Sequence, residues 1–367
     1  MAAMHQALST KLFIPPLRRN YVERARLLAS LDEALNSPLA VLSAPPGSGK
    51  TTLLSAWLRQ VVSRPGVQAG WVTLDSEDND PLRFWSYVGA AFPALEGASS
   101  LVSALLTTPE SLLPFVRAWI NLLAAAPGQF VLALDDYHLI EAPAVQTSLL
   151  YLLEHIPANL HVVISTRSDP PLPLGRWRVR GQLVEIRLAS LRFVQAEAAA
   201  FLTQQTGVTL SAEQLLELEK RTEGWAAGLQ VLAMGLKDQP AGELDRRIAA
   251  FSGRHHYVLD YLSDEVFNRQ PQNVQDFLLV TSVLKRLSAG LCSALLAEAG
   301  LAYTNAQTML SGLERDNLFF LALDEERSWY RYPPLFAELL QARLREAYSA
   351  AQIASLYRRA AQWHQAE

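Results

Sequence analysis

Cysteine is almost missing from this chain: Cys292 is the only one in 367 residues. A lone thiol excludes an internal disulfide framework and a cysteine-rich metal site, so a reducing cytoplasm is the expected setting. Long apolar runs are missing too. No 18 consecutive apolar residues occur, and the opening MAAMHQALSTKLFIPP has no apolar stretch behind basic residues, so neither a membrane span nor a signal peptide is expected. Positive charge is not in excess: 32 Lys and Arg against 36 Asp and Glu give a formal net charge of -4, which removes any whole-chain pull toward nucleic acid. The chain also lacks a fixed-period repeat and a low-complexity segment.

Half of the residues are hydrophobic, enough for a large core, and the length suggests two or three domains at roughly 100 to 200 residues each. The first half alternates short β-branched runs with amphipathic stretches. LAVLSA (39–44), AGWVTLD (69–75), FVLALDD (130–136), LHVVISTR (160–167) and QLVEIRL (182–188) read as buried strands, with helical patterns such as TTLLSAWLRQVV between them. That alternation predicts a parallel sheet covered on both faces. From about residue 190 helical periodicity takes over. A further segment from about 270 ends in FFLALDEERSWYRY, a hairpin with its turn at Asp324 to Arg327, and helices followed by a hairpin suit a winged helix. The tail from Leu335 reads as amphipathic helix that stops without a capping signal, as expected of a chain that continues. The expected divisions are 1–190, 191–268, 269–345 and 346–367.

LSAPPGSGKTT carries the first chemistry. In the phosphate-loop pattern GxxxxGK(S/T), Ala44 replaces the first glycine, while Gly49, Lys50 and Thr51 keep their places. Gly47 and Gly49 let the backbone bend around a phosphate within the run Pro46, Gly47, Ser48, Gly49, Lys50, Thr51, Thr52. Lys50 would neutralise phosphate charge, Thr51 would ligate Mg²⁺, and the helix expected from Thr51 points its positive end at the anion. A nucleotide with Mg²⁺ needs a second acidic group. FVLALDD supplies Asp135, which would hold Mg²⁺ through water, and Asp136, which could polarise an attacking water. The competing reading is that both acids only cap the next helix. ISTR then brings Ser165, Thr166 and Arg167 to the same edge, where Arg167 could sense the terminal phosphate or, alternatively, pair with Asp169 at the surface.

Other features are open or bland. Arg167, Arg176, Arg178, Arg180 and Arg187, with Trp177 among them, could form a basic stripe for nucleic acid, or an ordinary solvated surface. His255 and His256 lack the spacing of a metal pair, His138 suits a helix start, and Cys292 suits a small core position.

Strings along nearly the whole chain resemble the STAND-class signal-transduction ATPases of the MalT type, ATP-dependent transcriptional activators of the LuxR family that end in a DNA-binding domain. They are TKLFIPPLRRNYVERARLL, VTLDSEDNDPLRFWSYV, LALDDYHLI, STRSDPPLPLGRWRVRGQLVEIRLASLRF, GWAAGLQVLAMGL and WYRYPPLFAELLQARL. The resemblance implies an α/β P-loop NTPase fold of STAND or AAA-like type, then a helical domain and a winged-helix domain. It implies that Val22 and Arg24 contact the nucleotide and that Gly224 and Trp225 cover it. It also implies ATP or ADP with Mg²⁺ as cofactors, slow hydrolysis, and self-association when ATP is bound. An inducer and DNA would bind outside this chain, and no membrane is involved. Many relatives place a phosphate-contacting histidine where this chain has Pro333 and Pro334; proline has no N–H to offer, so Arg331 or Tyr332 is the alternative. The competing function is a turnover ATPase or kinase-like P-loop enzyme.

Overall fold

A computed structural model describes residues 8–18, 20–107, 112–237, 243–253, 255–301 and 305–366. The first seven residues, part of the stretch read above for a signal peptide, lie outside them. By contact the chain divides into two compact units, 1–44 with 49–191, and 45–48 with 192–367.

The first unit is built on five parallel strands: β1 (Leu39–Ser43), β2 (Val67–Thr73), β3 (Gln129–Asp135), β4 (Leu160–Thr166) and β5 (Leu183–Arg187), in the order β2-β3-β4-β1-β5. The five runs read from sequence are these strands. The inner strands β1, β3 and β4 are apolar because helices cover both faces, with successive residues serving opposite layers, whereas the edge strands β2 and β5 are only partly buried. Leu39 and Val41 join one core with Phe84, Trp85 and Trp119, whereas Ala40 and Leu42 join the other with Leu54 and Trp57. The helices are α1 (Ala25–Asp32), α2 (Lys50–Val61), α3 (Pro81–Ala90), α4 (Ala98–Thr107), α5 (Leu112–Ala125), α6 (Pro143–Glu154), α7 (Leu174–Val179) and α8 (Leu188–Leu191). Since β4 lies between β3 and β1, the acidic strand is not the neighbour of the loop strand.

An N-terminal strap holds this layer together. Lys11 is buried and forms ion pairs with Asp75 (2.8 Å) and with the fully buried Asp78, while its ammonium sits 4.7 Å from the Tyr87 ring centre. Asp78 also accepts from Arg83 Nε at 3.1 Å and from the Asp75 amide at 2.8 Å. Farther along, Pro15 O accepts from Ser55 Oγ of α2 at 2.9 Å. TKLFIPP and LDSEDNDPLRFW are thus two sides of one buried charge cluster, which explains why both strings carry charge within apolar surroundings.

The second unit contains α9 (Gln195–Thr206), α10 (Ala212–Thr222), α11 (Ala226–Leu236), α12 (Leu244–Ala250), α13 (His256–Leu262), α14 (Gln272–Thr281), α15 (Ala289–Glu298), α16 (Ala306–Arg315), the strands β6 (Leu321–Ala322) and β7 (Tyr330–Arg331), α17 (Pro334–Ala347) and α18 (Ala350–Ala366). The hairpin turns at Asp324, whose carboxylate caps the Ser328 and Trp329 amides, and Leu287 adds a third bridge opposite Tyr330. Three helices and this small sheet make the expected winged helix. Cys292 is fully buried, and burial pushes its thiol up to about 12. The tail is two helices rather than one. Tyr348 is extended, and Ser349 and Gln352 cap each other, the Ser349 amide donating to Gln352 Oε1 at 2.9 Å. Serine followed three residues later by glutamine is a helix-start pattern, and it was legible in the sequence.

Replacing Lys11 by Met should leave Asp78 buried with one cation fewer and cost about 3 kcal/mol. A lowered urea midpoint with an unchanged slope is the expected result.

Candidate functional site

The loop from Ala44 bends through two left-handed glycines, Gly47 at φ 71° and Gly49 at φ 85°. Gly49 caps α2, which starts at Lys50, one residue earlier than the sequence suggested. In that position Lys50 turns back, and its ammonium donates to Ala44 O at 2.6 Å. The side chain is almost wholly buried. Burial, then the Arg167 charge, bring its pKa down from 10.5 to about 8, with Asp135 and Asp136 opposing. Lys50, Arg167, Asp135 and Asp136 therefore share one electrostatic neighbourhood.

The sheet register explains the convergence. Thr73 pairs with Asp135, Leu42 with Ser165, and Ser43 with both Thr166 and Arg187, so the carboxyl ends of all five strands form one polar row. Asp135 is 2% exposed, and its pKa is raised by burial first and by the Asp136 charge second, with Ser165 and Thr51 opposing. Neither Asp135 Oδ1 nor Ser165 Oγ completes a hydrogen bond of ordinary geometry within the chain. A buried carboxylate oxygen and a buried hydroxyl left this way, beside Thr51, are the donor set a hydrated Mg²⁺ or a phosphate would use.

Asp136 departs from the strand with φ 58° and heads the short 3-10 turn Tyr137–Leu139 without a side-chain cap, so the helix-capping alternative loses its basis. His138, expected at a helix start, lies in that turn with Nδ1 3.8 Å from Asp136 Oδ1. Thr52 is exposed on α2, and Ser48 Oγ donates to Pro45 O at 2.8 Å, closing the loop on itself. Asp169, offered above as a partner for Arg167, accepts from Arg187 and from Ser43.

The remaining candidates take structural partners. Arg24 is buried and donates to Leu191 O at 2.7 Å, and Val22 stands half-buried ahead of α1. In the second unit, the loop tip packs on the start of α11: Trp225 Nε1 donates to Pro46 O at 3.3 Å, and the Ala227 amide to Gly47 O at 3.0 Å. A Cβ on Gly47 would come within 2.6 Å of Ala227 Cβ. Gly224 has φ 69°, and a Cβ there would meet Phe193 O at 2.3 Å. Beside it, Glu223 receives both Arg192 (2.8 Å) and Arg331. Tyr332 is buried with its hydroxyl 2.8 Å from Thr281 Oγ1, and so is committed to the winged-helix core. Pro333 and Pro334 start α17, where the missing N–H costs nothing.

The basic stripe is largely neutralised. Arg176 pairs with Glu154 at 2.7 Å, Arg178 with Glu185 at 2.7 Å and Arg187 with Asp169 and Glu185, while Trp177 is buried. Arg178 first, and Arg187, hold the Glu185 carboxyl down at about 2. Sequence spacing missed Ser43, Asp169 and Arg187 as parts of the loop's surroundings; the serine ending LAVLS and the acid in RSDPP were the available signals.

The low Lys50 value fixes a pH dependence. Between pH 8 and 10.5 the unfolded chain binds more protons at this group than the folded one, so its contribution to stability rises with pH across that window. Replacing Lys50 by Met should stabilise the protein without nucleotide by about 2 kcal/mol at pH 7. That advantage should shrink as pH rises from 8 to 10.5, read from urea midpoints of the two proteins.

Comparison with known proteins agrees with this architecture. The MalT winged helix domain matches residues 263–352. The HTH-type transcriptional regulator MalT of Cronobacter sakazakii is 34% identical over 91% of this chain and 36% of its own length. The serine/threonine-protein kinase PknK of Mycobacterium tuberculosis is 32% identical over 93% of this chain and 30% of its own. A Signal Transduction ATPase with Numerous Domains protein from Pyrococcus horikoshii, with a tetratricopeptide repeat sensor, aligns over 95% of this chain and 46% of its own at 15% identity and a TM-score of 0.44. The chain spans about a third of the length of the curated relatives it matches. A five-stranded parallel sheet is followed here by helices and a region matching the MalT winged helix domain, so over some nine-tenths of its length this chain is similar to one segment of those longer proteins.

Proposed function

We propose that this chain is the nucleotide-operated switch of a larger regulatory protein, in which ATP or ADP sets the arrangement of its parts. The observation that carries the reading is the row of strand ends, where the buried Lys50 and Asp135 share one electrostatic neighbourhood with the partly exposed Arg167 and Asp136 beside a glycine-bent loop. A buried lysine and a buried carboxylate are costly without a ligand, and a metal-bound phosphate chain matches both signs at once.

In this reading Lys50 binds phosphate oxygens, Thr51 and Asp135 hold Mg²⁺, Asp136 orients a water, and Arg167 reads the terminal phosphate. Mg²⁺, when bound, would screen phosphate charge. Gly47 and Gly49 admit the backbone to the phosphates, with Pro46, Ser48 and Thr52 completing the loop. Trp225 and Gly224 act at the loop tip, through the indole bond to Pro46 O. Arg24 and Val22 complete the adenine side.

Regulation fits better than rapid turnover because the same segment is shared by a protein named as a transcriptional regulator and one named as a kinase. The shared part is then the control device, and each output lies elsewhere in the longer chain. DNA and inducer would be bound there, while self-association of the ATP form would belong to this segment. No helix among the described residues is long and apolar enough to cross a membrane. The likeness to a protein named as a transcriptional regulator is what supports a cytoplasmic location in this reading.

Purified protein should retain nucleotide, identified by chromatography after denaturation, and hydrolyse ATP more slowly than about one per minute, against enzyme values near 10 per second. Lys50→Ala should lose the nucleotide. Asp136→Ala should bind ATP but hydrolyse it at least about tenfold more slowly. Rapid substrate-stimulated turnover would instead support the turnover-enzyme reading, and absence of any nucleotide binding would sink both.

A further inference from the structure

Three strand ends meet at one carboxylate. Ser43, the last residue of β1, is fully buried and lies opposite Thr166 of β4 and Arg187 of β5. Its hydroxyl donates to Asp169 Oδ1 at 2.8 Å. The Arg187 guanidinium grips the same carboxylate with both terminal nitrogens, Nη2 reaching Oδ2 at 3.0 Å. Arg187 Nη2 is steadied in turn by Glu185 Oε1 at 2.6 Å, and Glu185 Oε2 by Arg178 Nε at 2.7 Å. Asp169 thus accepts from β1 and β5 while belonging to the turn that leaves β4.

That turn carries Arg167. Thr166 Oγ1 donates to Ser168 O at 2.7 Å and closes the backbone around it. Next to Ser43 stands Ala44, whose amide donates to Thr166 O at 3.3 Å and whose carbonyl holds the Lys50 ammonium. The Asp169 carboxylate is therefore a side-chain link between the turn bearing Arg167 and the strand end bearing the loop. Two cations within electrostatic reach repel each other, so the turn needs a tether.

We propose that Asp169 is a positioning residue of the nucleotide site, holding Arg167 at the distance from Lys50 at which both cations meet the terminal phosphate of a nucleoside triphosphate. The inference rests on the nucleotide reading of the loop and makes that reading selective. A triphosphate reaches both cations, whereas a diphosphate depends on Lys50 alone. Loss of the tether therefore weakens the triphosphate more, while a residue needed only for folding would weaken both alike.

The test is calorimetric binding of Mg·ATP and of ADP to the 367-residue protein, with thermal melts alongside. Asp169→Ala should weaken ATP by about tenfold or more and ADP by less than about threefold. Asp169→Asn keeps an acceptor for Ser43 but gives up the ion pair with Arg187, and should fall between. Ser43→Ala should move in the same direction, and with Asp169→Asn it decides the matter if Asp169→Ala does not fold. Equal losses for the two nucleotides, or unchanged ATP affinity in the folded variants, overturn the proposal. Wild-type protein that binds neither nucleotide overturns it together with the reading of the loop. If wild type binds, Lys50→Ala does not, and the Asp169 variants match wild type, only the positioning role fails.

Discussion

A lysine ammonium held almost out of water, with an arginine close enough to depress its pKa, is the constraint on which the rest of the first unit depends. Such a pair is tolerable only if carboxylates stand near and the surrounding backbone cannot relax. Asp135 and Asp136 provide the first condition. The second comes from β1 and β4, buried along their whole length and packed on both faces, so that neither strand end can drift into solvent. Burial at the sheet edge thus stores an unfavourable arrangement that a polyanion with its metal would relieve.

Much of this was legible in the sequence because the informative residues sit where an apolar run stops. A five- to seven-residue β-branched run ending in Asp or Ser-Thr-Arg announces both a buried strand and the side chain at its tip. The glycines, Lys50 and Thr51 of the loop announce themselves by spacing. What linear spacing does not record is pairing across the sheet. Arg187 reads as one more arginine in a basic run, yet β1–β5 pairing brings it to Ser43, and a turn after β4 brings Asp169 to both. Lys11 and Asp78 are similarly remote in sequence and joined in the fold, and neither string alone shows that its charge is buried.

The second unit shows the same limit. The sequence marked Gly224 and Trp225 by resemblance, and their surroundings give a physical reason for that pair: the glycine has a positive φ with no room for a side chain, and the indole finds a carbonyl acceptor at the loop tip. Glu223, immediately before them, also has a positive φ and draws arginines from the start of the unit and from β7. With Tyr332 committed to the winged-helix core, the polar partner nearest this turn from the hairpin is Arg331, and the two prolines after it serve only to begin a helix.

The strand order has one more consequence. With β4 between them, the loop strand and the acidic strand are two interstrand spacings apart, about 9.5 Å, a span closer to that of a phosphate chain with its metal than to a direct ion pair. Two ladders of main-chain hydrogen bonds set this gauge, so insertions in the connecting loops or altered side chains at the rim leave it unchanged. The sheet therefore fixes the separation between the loop strand and the acidic strand by backbone alone, and what the rim residues can vary is only the chemistry presented at its two ends.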